Sequence, residues 1–211
     1  MMAADLARRR PAWIAWYALP ALLAMPLPAA AHLVNTGLGP VYDGIGHFLF
    51  SLEELLPLVA LALLAGLNGS AAARSAVFLL PLAWLTGGAL AQLAGSRLAV
   101  APLAGVPAIL ILVLGAAVAV DRRLPLVVLR RLLLGAGLVV GLLSGRGLAL
   151  LADGGLLLLG GFLAQAVLLS WLSALTVAAI RQADWLRIAL RVAGSWIAAS
   201  GLLLLGWQLR G

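Results

Sequence analysis

Residues 156–180 read LLLLGGFLAQAVLLSWLSALTVAAI, a stretch of 25 positions without a charged side chain. About 20 apolar residues in an α-helix are enough to cross the hydrocarbon core of a bilayer. Backbone groups inside lipid must form their hydrogen bonds within the spanning segment, and a helix achieves this for a run of this length. The stretch therefore predicts a transmembrane helix.

Apolar runs of comparable length recur along the chain, at residues 49–67, 76–94, 98–120, 124–143 and 188–209. Hydrophobic residues make up 64% of the 211 positions and charged residues 10%, which leaves too little polar surface for a water-soluble globule. Polar and glycine-containing triplets between the runs, such as Ser144-Gly145-Arg146, predict turns. We predict an all-α fold, a polytopic membrane helix bundle with six transmembrane helices.

The first 31 residues have the organisation of a secretion signal. A cluster of three arginines precedes an apolar run, and Ala29 and Ala31 fit a cleavage site immediately before His32. We expect residues 1–31 to be removed as a signal peptide, which leaves a mature transmembrane domain of residues 32–211 whose N-terminus is external. The alternative, an uncleaved first helix, also leaves His32 outside.

The arginines test this orientation independently of the signal. With an external mature N-terminus, the connections that face the cytoplasm carry eight arginines and the external ones carry three. Positive charge is retained on the cytoplasmic side of membrane proteins, so the distribution agrees with the predicted topology. We expect a multi-pass protein of the bacterial inner membrane, in contact with membrane lipid, with a periplasmic mature N-terminus.

Composition and motifs also exclude several classes of function. The net charge of +7 comes from arginines dispersed at the edges of apolar runs, so we predict no nucleic-acid partner. The absence of cysteine from the sequence excludes disulfides, thiolate metal sites and thiol catalysis. The sequence has no nucleophile elbow, phosphate loop, H-E-x-x-H motif or paired-carboxylate site. We therefore predict that the protein is not an enzyme and holds no tightly bound cofactor.

Polar residues cluster between His32 and Glu54, a segment that contains both histidines and three of the seven acids. If a helical turn begins at Asp43, His47 lies four residues further on the same face. In an unbroken helix Glu54, eleven residues after Asp43, returns to that face. Imidazole nitrogen and carboxylate oxygen together suit divalent nickel, cobalt, copper or zinc. We therefore predict a transition-metal ion as substrate, with His32, Asp43, His47 and Glu54 as candidate ligands.

Structural roles compete with this prediction at each position. Asp43 is suited to cap a short helix, and His47 to bond a backbone carbonyl at the membrane interface. Ser51 and Glu54 match the S-x-x-E capping box, which is the favoured interpretation of that glutamate. His32 becomes a nitrogen chelate for copper or nickel only if cleavage frees its amino group, and is otherwise an ordinary exposed histidine.

Two further patterns concern packing inside the bundle. Gln165, Ser173 and Thr176 lie near one stripe of a helix, which predicts hydrogen bonds between helices. Glycines recur every four residues from Gly137 to Gly145, which predicts close packing against a neighbouring helix of the same chain rather than a dimer face.

The outer segment resembles the HupE/UreJ family over about residues 31–69. The resemblance rests on Ala31-His32, on Thr36-Gly37-Leu38-Gly39-Pro40-Val41-Tyr42-Asp43-Gly44 with His47, and on Glu53-Glu54-Leu55-Leu56-Pro57. It implies a hydrogenase or urease accessory protein, regarded as a nickel or sometimes cobalt permease with about six membrane helices after a signal.

The resemblance also implies a ligand set. Members carry a H-P-x-x-G-x-D-H type motif in the first helix and a histidine in a later helix. In this chain three residues separate Asp43 from His47, and no histidine follows His47. The set carried over is therefore Asp43 and His47, with His32 and an acid as additions.

Two functions follow as expectations. The first is a permease in which the external His/Asp site captures a nickel- or cobalt-type ion and passes it into the bundle. The alternative is a non-transporting accessory or assembly protein that serves a metalloenzyme or a periplasmic partner. A homo-oligomer and an accessory complex are both left open as assemblies.

Overall fold

The computed structural model describes residues 35–97, 103 and 105–210. The predicted signal peptide and His32 lie outside the described residues, so the predicted domain boundary stays a prediction. Within the described part, the secondary structure is helical throughout, which confirms the all-α fold. The α-helices are α1 Pro40–Phe50, α2 Leu52–Leu67, α3 Ser70–Ala94, α4 Val106–Val120, α5 Leu126–Leu148, α6 Gly154–Gln182 and α7 Asp184–Gln208, and a 3-10 turn, Gly95–Arg97, follows α3.

Four of these helices, α3, α5, α6 and α7, are long and apolar enough to cross a membrane. Helices α1 and α2 meet the same criterion together but bend by 72° at the break between them, as in a broken span or a re-entrant loop. Helix α4 is shorter, at 15 residues, and covers the second part of the predicted run 98–120. The multi-pass membrane bundle is confirmed, whereas the count of six spans stays a prediction.

Helix α2 lies at the centre of the bundle and contacts all six other helices. All eight residues from Ala60 to Leu67 are buried. A helix that is hydrophobic on every side is expected to be enclosed by its neighbours, and the sequence of α2 meets that condition. The central helix therefore begins at the segment that carries the candidate ligands.

Glycines set the distance between α3 and α5. A Cβ atom added at Gly141 or Gly145 would collide with the backbone of Trp84 or Gly88 on the facing helix. Small residues allow such close approach in a membrane, where helix association lacks a hydrophobic driving force. The predicted packing of these glycines within the chain is confirmed, and it holds the C-terminal half of α5 against the core.

Candidate metal site

Asp43 organises the segment that precedes α1. Its Oδ1 accepts hydrogen bonds from the backbone N–H and the Oγ1 hydroxyl of Thr36, both at 2.6 Å. Asn35 Oδ1 accepts a further bond from the Gly37 N–H at 3.0 Å. These bonds fold the segment back onto the first turn of α1, where a negative charge is also favourable for the helix dipole. The described contacts of Asp43 are thus local and structural.

An unbroken helix from Asp43 to Glu54, the condition under which Glu54 returns to the face of Asp43, is not formed, because the chain breaks at Ser51. Ser51 has extended backbone angles (φ −81°, ψ 99°), and its N–H donates to the carbonyl of His47 at 3.0 Å. Ser51 is the N-cap of α2 as predicted, but its side chain makes no capping hydrogen bond. The capping box is therefore not formed, and Glu54 is released from that role.

The bend brings His47 and Glu54 together. Their Nε2 and Oε1 atoms lie 3.6 Å apart, although the residues belong to different helices. Seven residues of straight helix would separate them by about 10 Å along the axis. The two side chains lie at different depths, since that of His47 is 25% exposed and Glu54 as a whole is only 7% exposed. The imidazole is thus on the rim and the carboxylate inside.

Ser144 on α5 completes this contact. Its hydroxyl donates to Glu54 Oε1 at 2.7 Å, across 90 positions of sequence, and Ser144 itself is buried. The sequence predicted a turn at Ser144, but α5 continues to Leu148, which places the hydroxyl on a helix facing the core. Sequence reasoning therefore missed this residue. Three helices, α1, α2 and α5, converge on one carboxylate oxygen.

The geometry of the pair suits a metal ion. Nitrogen and oxygen ligands bind transition metals at about 2.1 Å, so two ligands of one ion lie about 3.0 to 3.4 Å apart. The observed 3.6 Å between Nε2 and Oε1 requires only a small side-chain movement to reach that spacing. Among residues 35–97 and 105–210, no three His, Cys, Asp or Glu side chains form a group that could hold a metal. His47 and Glu54 are thus two candidate ligands without a third such side chain beside them in the described part of the chain.

A small cavity lies below Glu54, with room for about one water molecule. It is enclosed by α2, α3, α5 and α6, and its lining includes Glu54, Trp84 and Gln165. Phe48 packs edge-on against the Trp84 ring, with centroids 6.3 Å apart. The described residues provide no hydrogen-bond partner for Glu54 Oε2, Trp84 Nε1 or Gln165 Oε1.

The predicted polar stripe of α6 is buried, but its predicted hydrogen bonds between helices are not formed. Thr176 donates to the carbonyl of Leu172 on its own helix at 2.7 Å. In the described part of the chain, Gln165 Oε1 and Ser173 Oγ have no partner. Gln165 therefore brings an unused oxygen acceptor to the cavity.

Comparison with known proteins identifies the family. The family model described as HupE / UreJ protein matches residues 20–204, most of the chain. Searches among curated proteins and solved structures gave no match. The family is associated with nickel or cobalt transport and with accessory roles for hydrogenase and urease. The length of the match, together with the multi-pass bundle, shows that this chain belongs to the HupE/UreJ family.

Proposed function

We propose that the protein is an inner-membrane permease for a divalent transition-metal ion of the nickel or cobalt type. The observation that carries the proposal is the contact of His47 Nε2 with Glu54 Oε1 at the break between two helices that together are long and apolar enough to cross a membrane. The imidazole, which is 25% exposed, meets the ion first, and the buried carboxylate receives it.

The charge around Glu54 supports a cation as the ligand. A buried carboxylate is costly unless an opposite charge or hydrogen bonds compensate it. In the part of the chain that the structure describes, His47 is the basic side chain within ion-pair distance of Glu54. One hydrogen bond, from Ser144, reaches the carboxylate. A divalent ion would supply the missing compensation.

The helix break supports the same conclusion. His47 lies in the last turn of α1, where the helix dipole places partial negative charge. Interrupted membrane helices form ion sites in transporters, since their C-terminal ends and freed carbonyls attract cations. The C-terminal end of α1 thus favours a cation at His47, while Glu54 lies in the first turn of α2, where the helix dipole stabilises its negative charge.

Asp43 and His32 stay predicted ligands, and we assign them to the path by which the ion reaches His47. Asp43 precedes His47 by one helical turn and keeps a solvent-accessible carboxylate. A negative charge at that place raises the local concentration of cations before they reach His47. His32, beyond the described residues, would act earlier still.

Uptake of radioactive nickel or cobalt into proteoliposomes tests the proposal. The variant His47→Ala is expected to lower the initial uptake rate at least about tenfold, because a ligand to the ion is lost. The matched control is Tyr42→Ala, which removes a 54% exposed ring from the same helix and should leave uptake unchanged. Uptake by His47→Ala equal to that of the wild type would contradict a permease that uses this site.

A second candidate, a non-transporting accessory protein, is favoured by the apolar character of α2 beyond Glu54. From Ala60 to Leu67 this central helix offers no polar side chain to a moving ion. Uptake measured together with equilibrium metal binding separates the two candidates. An accessory protein binds metal in a way that depends on His47 but shows no uptake.

A further inference from the structure

We infer that the cavity below Glu54 is a second, inner station for the metal ion, with Glu54 Oε2 and Gln165 Oε1 as its oxygen ligands. The inference rests on the proposed permease function and deepens it. It adds a residue of α6 to a site otherwise built from α1, α2 and α5.

The first argument is the concentration of unused polar atoms around one cavity. Glu54, Gln165 and Trp84 are 7%, 3% and 1% exposed, yet each has a side-chain atom without a hydrogen-bond partner among the described residues. Buried polar groups in proteins are nearly always bonded, and each exception calls for an explanation. Three exceptions around one small cavity indicate that the cavity holds a ligand.

The chemistry of the three atoms defines that ligand. A carboxylate oxygen and an amide oxygen are both acceptors, and together they favour a cation or a hydrogen-bond donor. The indole N–H of Trp84 is a donor and cannot ligate a metal. A water molecule can accept from an indole N–H and donate to two oxygens, so the cavity, which has room for about one water, suits water at rest. We assign the same place to the ion when it enters.

Glu54 links the two stations. Its Oε1 faces His47 and Ser144, and its Oε2 has no partner among the described side chains. An ion held by Oε1 can therefore move to Oε2 without leaving the carboxylate. This gives the ion a first step into the bundle at the end of a helix that is otherwise apolar.

Gln165→Leu tests the inner station, because it removes the amide oxygen and retains an apolar side chain of similar size. Equilibrium binding of nickel to the purified variant should stay within about twofold of the wild type. Uptake into proteoliposomes should fall at least about tenfold, the size expected when a group that supports a metal is removed. The matched control is Thr176→Val on the same stripe, whose hydroxyl bonds only its own helix and whose loss should not change uptake.

The outcomes separate this inference from the proposed function. Normal uptake by Gln165→Leu overturns the inner station alone. Loss of nickel binding as complete as in Glu54→Gln also overturns it, because Gln165 would then belong to a single site. Wild-type protein without any uptake overturns the permease and the inner station together.

If Gln165→Leu does not fold, the variant Gln165→Glu tests whether Gln165 is a ligand. Gln165→Glu keeps an oxygen in the same position and adds negative charge, so nickel should bind about tenfold more tightly and leave more slowly. Unchanged affinity in Gln165→Glu would contradict the assignment of Gln165 as a ligand.

Discussion

Asp43 and Glu54 are carboxylates eleven residues apart, and their surroundings differ in kind. Asp43 accepts two hydrogen bonds from Thr36, seven residues away, at the edge of the bundle. Glu54 is buried, accepts one bond from Ser144 on a distant helix, and leaves Oε2 without a described partner. A carboxylate that local bonds already satisfy holds a segment in place, whereas a buried one with an unused oxygen has reason to bind a cation. The difference favours Glu54 over Asp43 as the candidate ligand, whereas the sequence favoured a capping role for Glu54.

The strongest test of the difference between Glu54 and Asp43 is to remove the charge of each acid separately and compare nickel affinity. Glu54→Gln should weaken nickel binding by about 100-fold or more, because it removes the negative ligand from the buried site. Asp43→Asn should weaken it less than about threefold, since an exposed charge contributes little in water. Isothermal titration of the purified variants measures both. An equal loss in the two variants would make Asp43 a full ligand and end the distinction.

Ser144 sharpens the comparison by testing the support of the buried carboxylate. Ser144→Ala removes the hydrogen bond to Oε1 and should lower nickel affinity about tenfold, in the range found for groups that orient metal ligands. Ser200→Ala serves as the control, since its exposed hydroxyl bonds a carbonyl of its own helix. The idea of a supported carboxylate fails if the two alanine variants bind nickel equally well.

The smallest effect is expected at the other acid. Thr36→Val removes the hydroxyl that donates to Asp43 and accepts from the Leu38 N–H, so the outer segment should lose part of its local stability. Faster amide hydrogen exchange at Gly37 and Leu38 would record that loss, while nickel affinity stays within about twofold. A large drop in affinity would show that the outer segment also shapes the metal site.

The positions of the helices could be predicted because length and hydropathy decide them. The run 156–180 lies inside α6, and each of the other predicted runs overlaps a helix. Hydropathy could not predict the bend at Ser51, since residues 49–67 form one apolar run. Hydropathy shows how long such a run is but not whether the helix axis changes direction within it. On an unbroken helix His47 and Glu54 would lie about two turns apart, so the contact on which the proposed function rests depends on the bend.

The candidate site was predicted in part. His47 and Glu54 were named from residue type and clustering, whereas Ser144 pairs with Glu54 across 90 positions and shows no local signal. Glu54 was named with a capping role favoured for it, because S-x-x-E is a local pattern, whereas its contact with His47 depends on the break at Ser51.

The central position of α2 has a consequence for how the protein is made. Glu54 is synthesised 90 residues before Ser144 and 111 before Gln165, which at usual rates of translation is roughly 5 to 20 seconds. During that interval the acid enters the membrane without the groups that later enclose it. The surroundings of Glu54 are thus complete only after the C-terminal helices have been synthesised. A chain released early carries Glu54 without Ser144 and Gln165. Such a chain would leave the acid without the hydrogen bond from Ser144, which costs free energy while the segment lies in the bilayer.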